Sequence, residues 1–202
     1  ENLDPDEDGL QNNEEYLTSE WGSDPFRQDI FLELDQMEVV GDKGSYVPKL
    51  GKEMFRDALA KHNIVLHIDD HEEDAMKGGE IIPFMERVPR GGQKTIYRDY
   101  FLHNGLYKWR QGIFHYAAVV YSLTGVAGFA FWAGDQSYPF YDGIIIATKY
   151  HDNMSKRTLK NILNTQELND DLRKAKVYAS VLMHETGHVL GINRWNTGGC
   201  DN

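Results

Sequence analysis

Two histidines and a glutamate near the end of the chain have a spacing that suits metal chemistry. They occur in the run His184-Glu185-Thr186-Gly187-His188, a pattern expected about 0.02 times in a random chain of this composition. On a helix, His184 and His188 lie one turn apart and face the same way, so both imidazoles can bind one zinc ion. Glu185 would then stand beside the metal and act as a general base on metal-activated water. The run therefore predicts hydrolytic chemistry at a zinc site.

The segment that contains this run has the periodicity of a helix with one apolar face. Apolar residues recur at steps of three, four or seven, and they are Leu172, Ala175, Ala179, Leu182 and Val189. No proline interrupts the segment, and Gly191 stands where a helix would stop. We therefore predict a helix from Asp171 to Leu190 that carries both histidines on one side.

A second group of candidate metal ligands lies at the start of the chain. The run from Asp4 to Glu15 fits the calcium-loop pattern D-x-D-x-D-G-x5-E at every required position. In such a loop, carboxylate, amide and carbonyl oxygens bind the ion, and a glycine makes the sharp turn. The predicted Ca²⁺ ligands are Asp4, Asp6, Asp8, Leu10 through its backbone carbonyl, Asn12 and Glu15, with Gly9 at the turn.

This N-terminal run resembles the calcium repeats of thrombospondin type 3 and dockerin modules. Only three residues precede Asp4 in the sequence, so the incoming helix of a complete EF-hand is missing. We expect residues 1–25 to form an EF-hand-like calcium-binding loop and linker, and residues 26–202 to form a metallopeptidase catalytic domain. Because the resemblance is to extracellular modules, we expect a secreted or cell-surface protein.

The composition of the chain limits its classes of partner. With 202 residues, of which 41% are hydrophobic, the chain is long enough to bury the core of one domain of ordinary size. The net charge of −11 argues against nucleic acid as a partner, because phosphate binding needs clustered Lys and Arg. We also expect no membrane span, since no apolar run has the required length.

Between the two metal motifs, the sequence predicts a mixture of strands and helices. Apolar runs rich in β-branched and aromatic residues predict strands, and Pro48 opens a segment with a helical apolar face. The predicted strands are Ile30–Leu34, Ile64–Ile68, Ile113–Tyr121, Val126–Trp132 and Gly143–Ala147, and a short helix is predicted near Lys156–Leu163. This order indicates a mixed α/β (α+β) fold.

Two polar segments carry no clear pattern. Residues 71–112 are polar and contain glycines, so we expect a long insertion with little regular structure. The acidic run 69–74 includes a histidine and could bind a second cation, but charge runs without ligand spacing usually face water. We therefore expect this run to be a solvated loop.

The order of the elements, with H-E-x-x-H-x-x-G on the last helix, resembles the upper half of the metzincin zinc peptidases. The resemblance covers roughly residues 29–191 and is most specific from His184 to Gly191. The runs Asp29–Asp35 and Phe114–Ala117 are similar to segments of secreted prokaryotic metzincin-like proteases. The resemblance implies a twisted five-stranded mixed sheet backed by two long helices, with a substrate cleft under an antiparallel edge strand. By chain order that strand is Val126–Trp132, and it would bind a peptide substrate by strand addition.

The third zinc ligand is the point at which the sequence departs from the metzincin pattern. The position three residues after Gly191, a histidine in the family, is Arg194, a cation that cannot bind zinc. No methionine follows Gly191, although the family has a methionine turn there, so we expect the catalytic domain to be truncated at its C-terminal side. We predict Asp201 as the third ligand, because two histidines and one carboxylate form a known catalytic zinc set. The alternatives are Cys200, Asn193, a residue beyond position 202, and a site with no third protein ligand.

Together these patterns predict a zinc metalloendopeptidase, a hydrolase with a calcium-stabilised N-terminal loop. His184 and His188 would hold Zn²⁺, and Glu185 would transfer the proton during hydrolysis. The alternative from another class is a calcium-dependent extracellular binding or surface module whose zinc site is structural or inactive. A zinc hydrolase that acts on a non-peptide bond is a further alternative, because the metal chemistry is the same.

Overall fold

The computed structural model describes residues 3–72, 76, 78–131, 143–162 and 170–191. In these residues the chain forms a mixed sheet with long helices on one face, and the predicted mixed α/β class is confirmed. No helix in this part of the chain is long and apolar enough to cross a membrane.

The sheet has six strands within the described residues. They are β1 (Asp29–Met37), β2 (Val65–Asp70), β3 (Ile81–Ile82), β4 (Phe114–Val120), β5 (Gly128–Phe131) and β6 (Gly143–Ala147). Their order is β2-β1-β4-β6-β5, and β3 pairs with the end of β1. Strand β5 runs antiparallel to β6, whereas β1 is parallel to β2, β3 and β4, and β4 is parallel to β6. An antiparallel strand therefore forms one edge of the sheet.

The helices of the described residues range from one turn to five or more turns. They are α1 (Asn12–Thr18), α2 (Lys49–Ala60), α3 (Gly92–Ile96), α4 (Thr148–Ile162) and α5 (Asp170–Val189), with a π-helical turn at Tyr97–Phe101 and 3₁₀ turns at Ser19–Trp21, His103–Gly105 and Lys108–Arg110. Helix α2 begins directly after Pro48, whose fixed φ and missing N–H suit a helix start. Helix α5 ends before Gly191, whose φ of 95° lets the backbone leave the helix.

Helices α2 and α5 cover one face of the sheet. Phe55 of α2 and Tyr178 and Leu182 of α5 belong to the same buried cluster as alternate residues of β1, β4 and β6. The two helices approach closely at Gly51, where an added Cβ would lie 3.0 Å from the carbonyl oxygen of Ala175. This packing fixes the axis of α5 and therefore the position of its C-terminal turn.

The opposite face of the sheet is covered by the N-terminal segment and by residues between β3 and β4. Leu10 is buried in the same cluster as Phe31 and Phe114. The ring of Trp21 lies edge-on to Phe114, with 5.8 Å between the ring centroids. The N-terminal loop therefore packs on the sheet, while the division into residues 1–25 and 26–202 stays a prediction.

The prediction of five strands, and of little regular structure in residues 71–112, was wrong. Strand β3 lies in this segment but is only two residues long. Helix α3, the π-helical turn and two 3₁₀ turns lie in it as well. Two residues cannot show the alternation of a strand, and single turns cannot show a helical period, so neither pattern could reveal them.

The helix predicted near Lys156–Leu163 begins earlier in the chain. Helix α4 starts at Thr148, directly after the last residue of β6. No glycine or proline separates the two elements, so the sequence has no breaker that would mark the boundary.

The acidic run 69–74 does not begin as a solvated loop. Asp69 and Asp70 are fully buried at the end of β2. Asp69 Oδ2 accepts a hydrogen bond of 2.6 Å from Arg110, and Asp70 Oδ2 accepts one of 2.5 Å from Lys52. Since the two cations are 41 and 18 residues away in sequence, the local pattern of charges could not predict this pairing.

Candidate metal centres

The C-terminal turns of α5 carry His184, Glu185 and His188. The buried side of the helix includes Tyr178, Leu182 and Val189, which hold it against the sheet. The two histidines and Glu185 are half-buried at the rim of this contact. The helix therefore holds the three side chains at a boundary between core and solvent.

The two histidine rings converge on one point. Their Nε2 atoms are 3.1 Å apart, and the ring planes are perpendicular. Two nitrogens bound to one tetrahedral zinc ion at 2.0–2.1 Å would be separated by about 3.4 Å. The separation in this chain is close to that value, so the donor pair fits a zinc ion.

The carboxylate of Glu185 lies against the edge strand β5. A Cβ added at Gly128 would be 3.5 Å from Glu185 Oε1 and 2.9 Å from the carbonyl oxygen of Ile145. Glycine at this position therefore lets strand and helix approach each other. The carboxylate of Glu185 therefore lies beside Gly128 of β5.

No third candidate zinc ligand is grouped with His184 and His188 in the described part of the chain. Three groups in that part bring three or more His, Cys, Asp or Glu ligand atoms within 4.8 Å of one another, and none includes His184 or His188. The predicted ligand Asp201 lies outside the described residues. The alternatives Cys200 and Asn193 and the position of Arg194 lie outside them as well.

A pocket of about 590 Å³ opens beside the residues that lead into the edge strand. Its lining includes Val126 and Ala127 before β5 and Met154 of α4. None of the residues His184, Glu185 and His188 lines it. The pocket therefore adjoins the strand rather than the histidine pair, and we assign it no chemistry.

The N-terminal loop contains buried oxygen atoms that lack hydrogen-bond partners. Within the described residues, the unpaired atoms are Asp4 Oδ1, both carboxylate oxygens of Asp6, Asn12 Oδ1 and both carboxylate oxygens of Glu15. The Glu15 side chain belongs to a residue that is only 1% exposed. Because buried acceptors are nearly always hydrogen-bonded, six unpaired oxygens in one short loop indicate a cation site.

Internal hydrogen bonds give this loop its shape. Asp4 Oδ2 accepts a hydrogen bond of 3.1 Å from the backbone N–H of Gly9, and Asp8 Oδ1 accepts one of 2.7 Å from that of Leu10. Gly9 has a φ of 98°, which a residue with a side chain rarely adopts. The turn at Gly9 therefore folds the loop so that Glu15 returns towards the first aspartates.

The carboxylates of the loop repel one another. One oxygen from each of Asp4, Asp6 and Asp8 lies within 4.8 Å of the others, and the same holds for Asp8, Glu15 and Asp29. Burial, together with the charges of Asp6 and Asp8, raises the pKa of Glu15 to about 7. A bound cation would relieve this repulsion, and the all-oxygen donor set suits calcium.

Asp29 is a member of this centre that the sequence pattern did not identify. Its backbone N–H donates a hydrogen bond of 2.7 Å to Asp8 Oδ2, and its carboxylate accepts hydrogen bonds from Arg27 and His67. Burial opposes ionisation of Asp29, but the hydrogen bond from His67 and those from Asp24 and Arg27 lower its pKa overall. As the first residue of β1, Asp29 joins the loop to the sheet. It follows Glu15 by 14 residues, so the twelve-residue loop pattern cannot include it.

Comparison of this chain with family models, with curated proteins and with solved structures found no match. Support for a function therefore comes from the residues and geometry of the two centres.

Proposed function

We propose that this chain is a zinc-dependent endopeptidase, a hydrolase of peptide bonds. The observation that carries the proposal is the convergence of His184 and His188, whose Nε2 atoms are 3.1 Å apart, next to the carboxylate of Glu185 at strand β5. Zinc ligands, a base and a strand edge that can bind a peptide are thus neighbours.

The roles of the three side chains follow from their positions. His184 and His188 would hold Zn²⁺, which when bound acts as a Lewis acid and lowers the pKa of water. Glu185 lies beside the histidine pair, so its carboxylate can accept the proton of the attacking water and pass it to the leaving amine. The half-buried setting of Glu185 limits competition from bulk water for this proton.

The edge strand β5 is the proposed binding site for an extended peptide. Among the described residues it is the last strand in the order of the sheet, so a substrate strand could pair with its outer edge. Phe129 and Phe131 pack on the face of the sheet away from α5, whereas the alternate residues Gly128 and Ala130 have small side chains. Small residues on the side of Glu185 leave room for a substrate backbone near the carboxylate.

A metzincin-like fold is part of the same proposal. Its support is the strand order β2-β1-β4-β6-β5, with an antiparallel strand β5 at the edge. Further support is the position of H-E-x-x-H-x-x-G at the end of α5, the helix that backs the sheet together with α2. The proposed class is the secreted prokaryotic metzincin-like type.

Calcium binding by the N-terminal loop is proposed as a stabilising element of the peptidase. The unpaired oxygens of Asp4, Asp6, Asn12 and Glu15 support it, as do the hydrogen bonds of Asp8 to the backbone of Leu10 and Asp29. Loops of this kind that bind calcium weakly are used in extracellular modules. We therefore propose an extracellular or cell-surface location.

A calcium-dependent binding or surface module with a structural or inactive zinc site is the second candidate function. What favours it is that the described residues supply two zinc ligands, where catalytic sites usually have three. In that case the calcium loop would be the functional centre, and the histidine pair would have no catalytic role.

The test compares Glu185→Gln with the parent and with Glu53→Gln, a matched change at an exposed position of α2. Each protein is assayed for cleavage of an unfolded protein substrate, for zinc content and for thermal unfolding. We expect Glu185→Gln to reduce cleavage by about 10²–10⁴-fold with zinc content and stability retained, because proton transfer contributes this much to the rate. We expect Glu53→Gln to behave like the parent.

Two results would count against the peptidase. Equal cleavage by Glu185→Gln and the parent would exclude Glu185 as the base. A zinc-loaded parent that cleaves neither proteins nor peptides, yet still binds calcium, would favour the binding module.

A further inference from the structure

A third group of carboxylates lies inside the molecule and shares no residue with the two centres above. Glu33 and Asp35 are two residues apart on β1 and therefore face the same side of the sheet, opposite α5. Both are 0% exposed. Glu80, which precedes β3, joins them, and one oxygen from each of the three lies within 4.8 Å of the others.

The positive charges near this group do not balance its negative charges. Arg110 Nε is 2.5 Å from Glu33 Oε2, and Arg110 Nη2 is 2.6 Å from Asp69 Oδ2. His103 Nε2 is 2.7 Å from Glu80 Oε1. In the described part of the chain, four carboxylates thus face one arginine and one histidine. Burial and mutual repulsion accordingly raise the pKa of both Glu33 and Asp35.

Three buried oxygens of the group lack hydrogen-bond partners among the described residues, namely both carboxylate oxygens of Glu33 and Oε2 of Glu80. Glu33 Oε2 forms an ion pair with Arg110, so Glu33 Oε1 and Glu80 Oε2 are the two that have neither kind of partner there. Neighbouring groups hold Asp35 in place, because Tyr116 donates a hydrogen bond of 2.7 Å to Oδ2 and the backbone N–H of Glu80 donates one of 2.6 Å to Oδ1. A buried acceptor without a donor is costly, so the two unpaired oxygens point to a missing positive charge.

The spacing of the oxygens suits an ion of the size of calcium. Calcium binds oxygen at 2.3–2.6 Å, so two ligands on opposite sides of the ion are at most about 5 Å apart. The three carboxylate oxygens lie within 4.8 Å of one another, so one calcium ion could contact all three. Magnesium binds closer, usually through one or two carboxylates and several waters, and suits a buried three-carboxylate group less well.

We propose that Glu33, Asp35 and Glu80 bind a second calcium ion, separate from the one in the N-terminal loop. Asp69 is not in the ligand set, because the group whose oxygens lie within 4.8 Å of one another contains Glu33, Asp35 and Glu80 only. The ion would tie the middle of β1 to the residues that enter β3, and so fix the segment between β2 and β4.

The ion can reach this site from the side of Glu80. The side chains of Glu80 and His103 are 35% and 28% exposed, whereas Glu33 and Asp35 are enclosed. Glu80 is therefore the ligand whose substitution disturbs the core least, and we choose it for the test.

The experiment uses the Glu15→Gln background, which removes the bidentate ligand of the N-terminal loop. Three metal-free proteins are titrated with calcium chloride in a calorimeter. They are the single variant Glu15→Gln, the double variant that also carries Glu80→Gln, and a matched control double variant that also carries Glu86→Gln. Glu86 is an exposed residue that pairs with Lys43 and lies outside the group. We expect one calcium ion per chain in Glu15→Gln and in the Glu86→Gln control, and loss of this binding with Glu80→Gln.

Circular dichroism in chelator checks that the three proteins share one fold. If the Glu80→Gln protein does not fold, Glu80→Asp is used in its place. Aspartate keeps the negative charge, but its side chain is shorter by one methylene, so its oxygens lie farther from the ion. We expect this variant to bind calcium more weakly than the Glu86→Gln control. The proposal is overturned if the Glu15→Gln protein binds no calcium, or if the Glu15→Gln protein and the Glu15→Gln, Glu80→Gln protein bind it equally. The carboxylates would then be neutralised by protonation. Neither result bears on the peptidase reaction, which depends on Glu185.

Discussion

The N-terminal loop and the end of α5 differ in how much of each metal centre lies in one stretch of chain. The loop contains its proposed oxygen ligands within the twelve residues from Asp4 to Glu15, and its shape is fixed by its own hydrogen bonds. The end of α5 supplies two histidines one turn apart, and any third ligand must come from elsewhere.

The loop shows which candidate ligands a local motif can predict, and the helix shows which ones depend on the tertiary fold. In the loop, spacing alone predicts every ligand except the neighbouring Asp29, which the first strand contributes. In the helix, spacing predicts the histidine pair and the base, but the geometry of a complete zinc site depends on a separate segment. Predictions about the third ligand therefore test the comparison most strongly.

The largest expected effect is that of Asp201→Ala on zinc binding. If Asp201 is the third ligand, its removal leaves two histidines, and zinc affinity should fall by at least about 100-fold, because even outer-shell changes cost 10–100-fold. Competition with a chelator of known affinity measures the change. Calcium binding by the loop should be unaffected.

Cys200→Ala and Asn202→Ala, the two neighbours of Asp201, serve as controls. Zinc binding at parental strength is expected for both. A large loss in Cys200→Ala together with normal binding in Asp201→Ala would transfer the ligand role to the thiol and refute Asp201.

An intermediate effect is expected from Glu15→Gln on stability in calcium. The substitution removes the bidentate carboxylate, so Glu15→Gln should lose the loop's share of the calcium-dependent rise in unfolding temperature, which at 100 times the Kd of the loop is about 2.7 kcal/mol, or about 5–10 °C. Only the smaller rise due to the ion proposed at Glu33, Asp35 and Glu80 should remain. Melting curves with and without calcium provide the measurement. Zinc content should stay at the parental level.

Glu7→Gln is the matched control for the loop, because Glu7 is an exposed residue of the same segment and is not a predicted ligand. It should keep the calcium-dependent increase in unfolding temperature. An equal increase in Glu15→Gln and the parent would mean that this loop is not the source of the effect.

The smallest expected effect is that of Gly128→Ala at the contact between β5 and α5. The added Cβ would lie 2.9 Å from the carbonyl oxygen of Ile145, so the strand must shift at a cost of about 1–2 kcal/mol. Cleavage should fall as well, since the shift alters the position of β5 relative to Glu185. Val40→Ala, at an exposed position outside the predicted peptide-binding strand, should change neither property. Unchanged stability and cleavage in Gly128→Ala would show that the close approach of strand and helix is unimportant.

Much of the sheet could be predicted because its strands are long apolar runs. The run Ile30–Leu34 predicted the middle of β1, and the run Gly143–Ala147 predicted β6 at its observed bounds. Helix α5 extends over Asp170–Val189, one residue before the predicted segment at each end, because its apolar spacing is regular over five turns. Strands and helices of this length can be predicted from their own apolar periodicity.

Contacts between distant residues could not be predicted in the same way. Glu33 and Asp35 alternate with apolar residues of β1, a pattern that is typical of a strand with one face towards water. Their burial beside Glu80 and Arg110, which lie far along the chain, could not be predicted from it. The contact of Gly128 with Glu185 likewise depends on how strand and helix pack. Such contacts depend on the tertiary fold, whereas the metal motifs can be recognised from the spacing of residues in the sequence.

The docking of Trp21 on the sheet has a consequence for the kinetics of folding. Trp21 contacts Phe31 and Phe114, which are paired across β1 and β4, although 83 residues separate them in sequence. The surface that receives Trp21 therefore exists only after these two distant strands have met, a slow step for any chain. An ion in the loop next to Trp21 would stabilise a contact that forms only after the sheet has formed. It would therefore slow unfolding and lengthen the lifetime of the folded chain, without changing the rate at which the sheet forms.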